Sequence, residues 1–171
     1  MKPVSRILAA ALLILIASIA TAQEKHPLTV AEKSNYTKTS LYSDVCDFIT
    51  ELQKKSDKIR VESMGKSAEG RNIPLLILGD PPPASAAAMN RDPRKVIYIQ
   101  ANIHAGEIEG KEAVQMLARD LLLMERCSYF ENLVLLLAPI FNPDGNEKLS
   151  ADNRRDNGPE LAGIRYNGMN L

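Results

Sequence analysis

The stretch that decides the fold is residues 95–110, KVIYIQANIHAGEIEG. Its first part is a continuous apolar run of strand length, which predicts a buried strand. Apolar residues then recur with helical spacing between positions 108 and 122, which predicts an amphipathic helix. A second apolar run of strand length follows at 133–138. Strand, helix and strand in this order predict a βαβ unit with parallel strands and a right-handed crossover.

The chain before this unit carries signals for further elements of the same domain. Apolar residues at 41–52 follow the spacing of an amphipathic helix, with Thr39 or Ser40 available as its N-cap. Segments 59–64 and 73–78, separated by a polar turn, predict an antiparallel strand pair at a sheet edge. The predicted fold class is therefore α/β, with a mixed, largely parallel sheet flanked by helices.

The N-terminus has the three parts of a secretory signal peptide. A basic start is followed by a short apolar run and by the small residues Ala20-Thr21-Ala22. The run is shorter than the ~20 residues that a bilayer span needs, so no stable membrane anchor is expected after cleavage. We therefore predict a signal peptide at 1–22, export to the periplasm or the extracellular space, a polar segment at 23–38 and one domain at 39–171.

Charge and cysteine content narrow the class of protein. The chain has 21 basic and 21 acidic residues, and cleavage would remove only the basic Lys2 and Arg6. This balance argues against a nucleic-acid partner, which would favour a basic surface. The two cysteines, Cys46 and Cys127, could form a bridge in an oxidising compartment or remain as two buried free thiols.

The candidate site follows from the βαβ unit. In open α/β sheets, ligands bind outside the carboxyl ends of the strands, which selects the loops 102–107 and 142–145. His104 and Glu107 are three residues apart in the first loop, so their side chains can point the same way. Zinc binds imidazole nitrogen and carboxylate oxygen, and a catalytic zinc site uses three protein ligands. The pair would supply two of them.

Other interpretations of these residues remain open at this point. His104 could cap the following helix or belong to a satisfied hydrogen-bond network, with Glu107 as a favourable acid in the first helical turn. Glu109 and Glu112 are rival carboxylates, but neither has the three-residue offset from His104. Both are interpreted as first-turn or surface acids of the helix.

Motifs in a fixed order connect these residues to a known family. The chain carries GKSAEGR at 65–71, HAGE at 104–107, NPDG at 142–145 and RDNGP at 155–159. In this order they resemble the zinc carboxypeptidases of the M14 type. The resemblance implies that 39–171 is the N-terminal portion of such a catalytic domain.

The resemblance also implies roles for single residues. His104 and Glu107 match two of the family's three ligands for one zinc ion. Arg155 matches the arginine that polarises the scissile carbonyl and stabilises the oxyanion, with the adjacent Arg154 as an alternative register. Asn170 stands where many relatives have an aspartate that hydrogen-bonds a ligand histidine. No residue of this chain is assigned to substrate binding.

The function implied is hydrolysis of a peptide bond near a free C-terminus, with a peptide as substrate. The alternatives are an amidase or deacylase on the same fold and a non-catalytic, truncated remnant. No motif supplies the third ligand or the general base, and the only other histidine is His26. The chain is therefore expected to be an incomplete fragment, with the strand at 133–138 central in the complete sheet and unpaired here along one edge. Substrate side-chain preference and oligomeric state are not predicted.

Overall fold

The computed structural model describes residues 26–124, 127–153 and 158–164 of the 171-residue chain. Its helices are α1 (Val30–Lys33), α2 (Tyr42–Lys55), α3 (Ala86–Met89), α4 (Glu109–Leu123) and α5 (Pro143–Asn146), and a 3-10 helix spans Cys127–Glu131. Its strands are β1 (Ile59–Lys66), β2 (Asn72–Leu78), β3 (Lys95–Gln100) and β4 (Leu133–Ala138). The predicted signal peptide, 1–22, lies outside the described residues. Within the described ranges, no helix is long and apolar enough to cross a membrane.

The four strands form one mixed sheet in the order β1-β2-β4-β3. β3 and β4 are parallel and in continuous register from Lys95 opposite Leu133 to Gln100 opposite Ala138, which confirms the predicted βαβ unit. β1 and β2 form the predicted antiparallel pair at one side of the sheet. β2 also pairs with β4 in antiparallel direction, and this pairing joins the two predicted units into one sheet.

The position of β4 corrects one expectation. β4 is central, but both of its edges are paired, because β2 occupies the side that was expected to be open. In the described part of the chain the open edge of this half of the sheet belongs to β3 instead. Val96, Ile97 and Tyr98 of β3 are 41–45% exposed. The prediction that this segment forms a strand is confirmed, but the prediction that the strand is buried is wrong for the described part of the chain, because no strand covers the outer edge of β3 there.

The core lies between the sheet and the two long helices. Val45, Phe48 and Leu52 of α2 pack in the same cluster as Val114 and Ala118 of α4. The sheet contributes alternate residues of its two inner strands, which point to the same face because side chains alternate along a strand. These residues are Leu76 and Leu78 of β2 and Leu135 and Leu137 of β4. The helices thus fix β3 and β4 relative to each other and position the loops at their ends.

The N-cap predicted for α2 is wrong. The helix begins at Tyr42, and the Asp44 side chain accepts the backbone N–H of Leu41 at 2.8 Å. Thr39 and Ser40 are buried and bind the carboxylate of Glu112 in α4 instead. A tertiary partner has therefore displaced the local capping role that these two residue types usually take.

The polar segment before α2 carries an element that the hydrophobic pattern did not indicate. Thr29 and Glu32 cap α1 reciprocally, each side chain accepting the other's backbone N–H. The guanidinium of Arg119 in α4 donates to both carboxylate oxygens of Glu32, at 2.8 and 2.7 Å, and to the carbonyl of Pro27. Residues 27–33 are thereby held against α4.

Candidate metal centre

The loops that follow β3 and β4 lie side by side, as the strand-end rule predicts. Ala101 N–H donates to the Ala138 carbonyl at 2.9 Å, and Phe141 N–H donates back to the Ala101 carbonyl at 3.0 Å. Asn142 N–H then donates to the Asn102 carbonyl at 3.1 Å. The two chains therefore continue to pair for a few residues beyond the sheet. This pairing brings the 102–107 loop against the 142–145 loop.

His104 and Glu107 meet in the first loop. His104 Nδ1 and Glu107 Oε2 are 3.4 Å apart, and the two side chains are 41% and 49% exposed. Glu107 N–H donates to the His104 carbonyl at 2.8 Å, and this tight turn aligns the two side chains. α4 begins only at Glu109, with Ile108 as its N-cap and no side-chain capping bond. The helix thus begins five residues after His104.

The geometry of the pair fits two positions of a zinc site. Atoms bound to one tetrahedral zinc ion at about 2.0–2.2 Å lie about 3.3–3.6 Å apart. The observed 3.4 Å separation falls in this range, and the two donors are of types that zinc binds. Among the described residues, no group of three His, Cys, Asp or Glu side chains could hold a metal ion. A complete ligand set is thus not present in this part of the chain.

The two rival carboxylates differ in their surroundings. Glu109 is exposed at the start of α4, as predicted. Glu112 lies in the first turn, one of the two alternatives predicted for it, and at 4% exposure it is not a surface acid. Its carboxylate accepts bonds from the Thr39 hydroxyl, the Ser40 N–H and the Ser40 hydroxyl. These bonds point Glu112 away from the candidate centre and toward α2.

A groove adjoins the two candidate ligands. It has a volume of about 740 Å³ and runs between the end of β3 and the side of α4 that carries Gly110, Ala113 and Leu117. His104, Glu107 and Asn102 line one end of it, while Ile99 and Leu117 contribute apolar surface. The groove therefore offers space beside the pair for a partly apolar ligand.

The 142–145 motif supports the 102–107 loop through the side chain of Asn142. The Asn142 side chain accepts the N–H of Gly145 at 2.9 Å and so caps α5, while its Nδ2 donates to the Ile103 carbonyl at 3.1 Å. A Cβ at Gly145 would lie 2.8 Å from Asn142 Nδ2, so a larger residue here would displace the Asn142 amide. These contacts give the 142–145 motif a structural role toward the ligand loop.

Asp144 connects the 65–71 motif to the 142–145 loop. Its carboxylate accepts the Ser67 hydroxyl at 2.7 Å, the Glu69 N–H at 2.9 Å and an Arg71 guanidinium N–H at 2.7 Å. Burial alone would raise the pKa of Asp144, but these hydrogen bonds and the charge of Arg71 outweigh it and lower the pKa. Three of the sequence motifs thus form one connected structure around the strand ends.

Sequence reasoning missed a buried lysine behind the loops. Lys111 is fully buried on α4 and donates to the Ser40 carbonyl and to Asn146 Oδ1. Burial lowers the pKa of Lys111 to about 8, against the opposing charge of neighbouring carboxylates such as Glu112. In sequence Lys111 looks like an ordinary helix residue, because its partners are 35 and 71 positions away.

Some of the residues singled out in the sequence fall outside the described ranges. Arg155, with its alternative Arg154, and Asn170 are outside the described residues. Cys46 is a free, half-buried thiol, and the side chain of Cys127 lies outside the described part of the chain.

Comparison with solved structures places this architecture in a class. Carboxypeptidase A from Helicoverpa armigera matches 83% of this chain with 32% of its own length, at 23% identity and a TM-score of 0.54. A metallo-carboxypeptidase from Burkholderia cenocepacia matches 64% of this chain with 28% of its own, at 24% identity and a TM-score of 0.52. Bovine thrombin-activatable fibrinolysis inhibitor, solved with a tick carboxypeptidase inhibitor, matches 78% with 39%, at 13% identity and a TM-score of 0.54. The fold is that of the zinc carboxypeptidases, and the chain spans under two fifths of the length of these proteins.

The sequence itself fixes the family. The family model for zinc carboxypeptidases of the M14 type matches residues 45–167, which is more than half of the chain. No protein of curated function matches the sequence significantly. The chain belongs to the zinc carboxypeptidase family, as the ordered motifs indicated.

Proposed function

We propose that this chain supplies His104 and Glu107 as two of the three ligands of a catalytic zinc ion in a metallocarboxypeptidase. The observation that carries the proposal is the 3.4 Å approach of His104 Nδ1 to Glu107 Oε2 at the carboxyl end of β3. The substrate class is a peptide with a free C-terminus, cleaved near that end. The whole activity requires a third ligand, which the described residues do not provide.

The residues of the loop are suited to hold and orient a metal ion. Bound zinc would polarise the scissile carbonyl and activate a water for attack. Ala105 and Gly106 are buried between the two candidate ligands, so the turn is anchored while its two ligand side chains remain accessible. Gly106 N–H donates to the Ile164 carbonyl at 3.0 Å, which holds the segment after 158 against the same turn.

Two further roles belong to this proposal by resemblance. Arg155 would stabilise the negative charge that develops on the carbonyl oxygen, a task for which a permanently charged guanidinium is suited. Asn170 would hydrogen-bond the ligand histidine. Export, through the segment 1–22, would bring the protein to peptides of the periplasm or the extracellular space.

Zinc binding by substituted chains tests the proposal. Isothermal titration of the 171-residue chain with Zn²⁺ should show binding that His104→Ala and Glu107→Ala each abolish, because each removes half of a two-residue site. The matched control is Glu109→Ala, which removes an exposed carboxylate two residues further on. It should leave the affinity unchanged. Loss of binding in Glu109→Ala but not in Glu107→Ala would refute the assignment.

A further inference from the structure

Asn102 adopts an unusual backbone conformation next to the candidate ligands. Its φ is +59°, in the left-handed region that residues other than glycine rarely occupy. Asparagine tolerates this region better than most residues, because its short amide can hydrogen-bond locally. The residue lies two positions after the end of β3 and two positions before His104. The chain therefore changes direction at Asn102 to form the ligand turn.

The Asn102 side chain lies inside this turn and is only 4% exposed. Its Nδ2 donates to the Ala105 carbonyl at 3.2 Å and to the Glu107 carbonyl at 3.4 Å. One amide group thus joins the start of the turn to the two residues on either side of Gly106. Its Oδ1 is buried with no hydrogen-bond partner in the described structure. The turn is therefore held by the Nδ2 donor of the amide and not by its oxygen.

A second asparagine holds the same turn from the neighbouring loop. Asn142 donates its backbone N–H to the Asn102 carbonyl and its Nδ2 to the Ile103 carbonyl, both at 3.1 Å. With the bonds from Asn102, carbonyls at four of the six positions 102–107 accept from these two residues. The turn is therefore shaped by side-chain amides before any ligand binds.

We propose that Asn102 is a positioning residue that sets the spacing of His104 and Glu107 for a metal ion through its side-chain amide. The inference rests on the proposed zinc site. Residues that orient metal ligands typically contribute 10–100-fold to metal affinity, because a displaced ligand must be reorganised on binding. The competing explanation is that Asn102 serves only its backbone conformation, which glycine would serve equally well.

Two substitutions separate these explanations. Asn102→Gly keeps the left-handed backbone accessible and removes the amide. Asn102→Asp keeps the shape of the side chain and places oxygens where Nδ2 donates, so that they face the two carbonyls. The matched control is Asn35→Gly, because Asn35 also has a positive φ, +53°, but is exposed and lies in the turn after α1.

The experiment combines Zn²⁺ titration with amide hydrogen exchange of the metal-free 171-residue chain. Both Asn102 variants should lose about 10-fold or more in zinc affinity. They should also exchange the Glu107 amide faster, since that N–H closes the ligand turn onto the His104 carbonyl. Asn35→Gly should change neither quantity.

Two outcomes separate an error about Asn102 from an error about the proposed zinc site. If His104→Ala abolishes zinc binding while Asn102→Gly has wild-type affinity and wild-type exchange at Glu107, the inference about Asn102 is wrong and the zinc site stands. If His104→Ala leaves zinc binding unchanged, the zinc site is wrong and the role of Asn102 toward a metal ion is refuted with it.

Discussion

Replacement of Glu112 tests whether its buried carboxylate supports the fold, as the structure indicates. Its carboxylate accepts three hydrogen bonds, at 2.8, 2.7 and 3.1 Å, from Thr39 and Ser40. Glu112→Ala would leave these buried donors without an acceptor, and each unsatisfied group costs about 1–3 kcal/mol. The two hydroxyls can rotate toward other acceptors, whereas the Ser40 N–H cannot. The substitution also removes the negative charge next to the buried Lys111 ammonium, which adds an electrostatic cost.

These terms together predict a loss of about 3–5 kcal/mol in the free energy of unfolding, the range found when a buried charged partner is removed. For a chain of this size that corresponds to a fall in Tm of about 10 °C. Thermal unfolding followed by circular dichroism measures this shift. Glu112→Gln keeps one acceptor oxygen and should lie between the wild type and Glu112→Ala.

Glu109→Ala is the control for the same helical turn. Glu109 is exposed, and substitutions of exposed residues usually change stability by at most about 0.5 kcal/mol. A simple hydrophobic pattern treats both residues as surface acids and predicts equal effects. Equal Tm values for Glu109→Ala and Glu112→Ala would therefore refute the buried network.

Three other outcomes are expected. Asp144 has a lowered pKa in the fold, so its stabilising contribution is present above its ordinary pKa and is lost as the pH falls through the lowered value. Urea unfolding across the acid range should show this loss of stability. Asp144→Asn should reduce the pH dependence. Ile97→Lys on the open strand β3 should raise the solubility of the chain, measured by light scattering, because a charge blocks edge-to-edge pairing; an unchanged aggregation rate would contradict this. The 171-residue chain alone should bind zinc weakly and should not hydrolyse a blocked dipeptide, since His26 is the only other histidine; stoichiometric tight zinc with sustained turnover would overturn this prediction.

The elements that the sequence predicted correctly are those with a strong local signal. The apolar runs of β3 and β4 and the helical spacing of α4 are continuous local patterns, so the type of each element could be predicted. The burial predicted for β3 was wrong, because burial depends on which strands and helices pack against it. The pairing of β2 with β4 was not predicted, because strand order depends on contacts between residues far apart in sequence. The resulting error was to expect an open edge on β4 when that edge is on β3.

The residues of the candidate site show the same difference between local signals and long-range contacts. His104 and Glu107 could be found because their offset and their place after a strand are local properties. Glu112 was placed correctly in the first turn of the helix, but its burial could not be predicted, because its partners, Thr39 and Ser40, precede it by more than 70 residues. The type and position of Asn102 could have indicated a left-handed turn, since asparagine just after a strand tolerates that backbone. Its hydrogen bonds to the ligand turn could not be predicted, because they depend on how the turn folds.

The bonds to Asp144 determine how small a working piece of this domain can be. A minimal peptide cut to the βαβ unit, beginning at β3, would retain both candidate ligands and the groove beside them. It would lack Ser67 and Arg71, which hold Asp144 from more than 70 residues upstream. Asp144 belongs to the same short helix that Asn142 caps, and Asn142 holds the ligand turn through the Ile103 carbonyl. The β1–β2 hairpin therefore belongs to any miniature version of the metal centre, although none of its residues touches the two ligands in the contacts described.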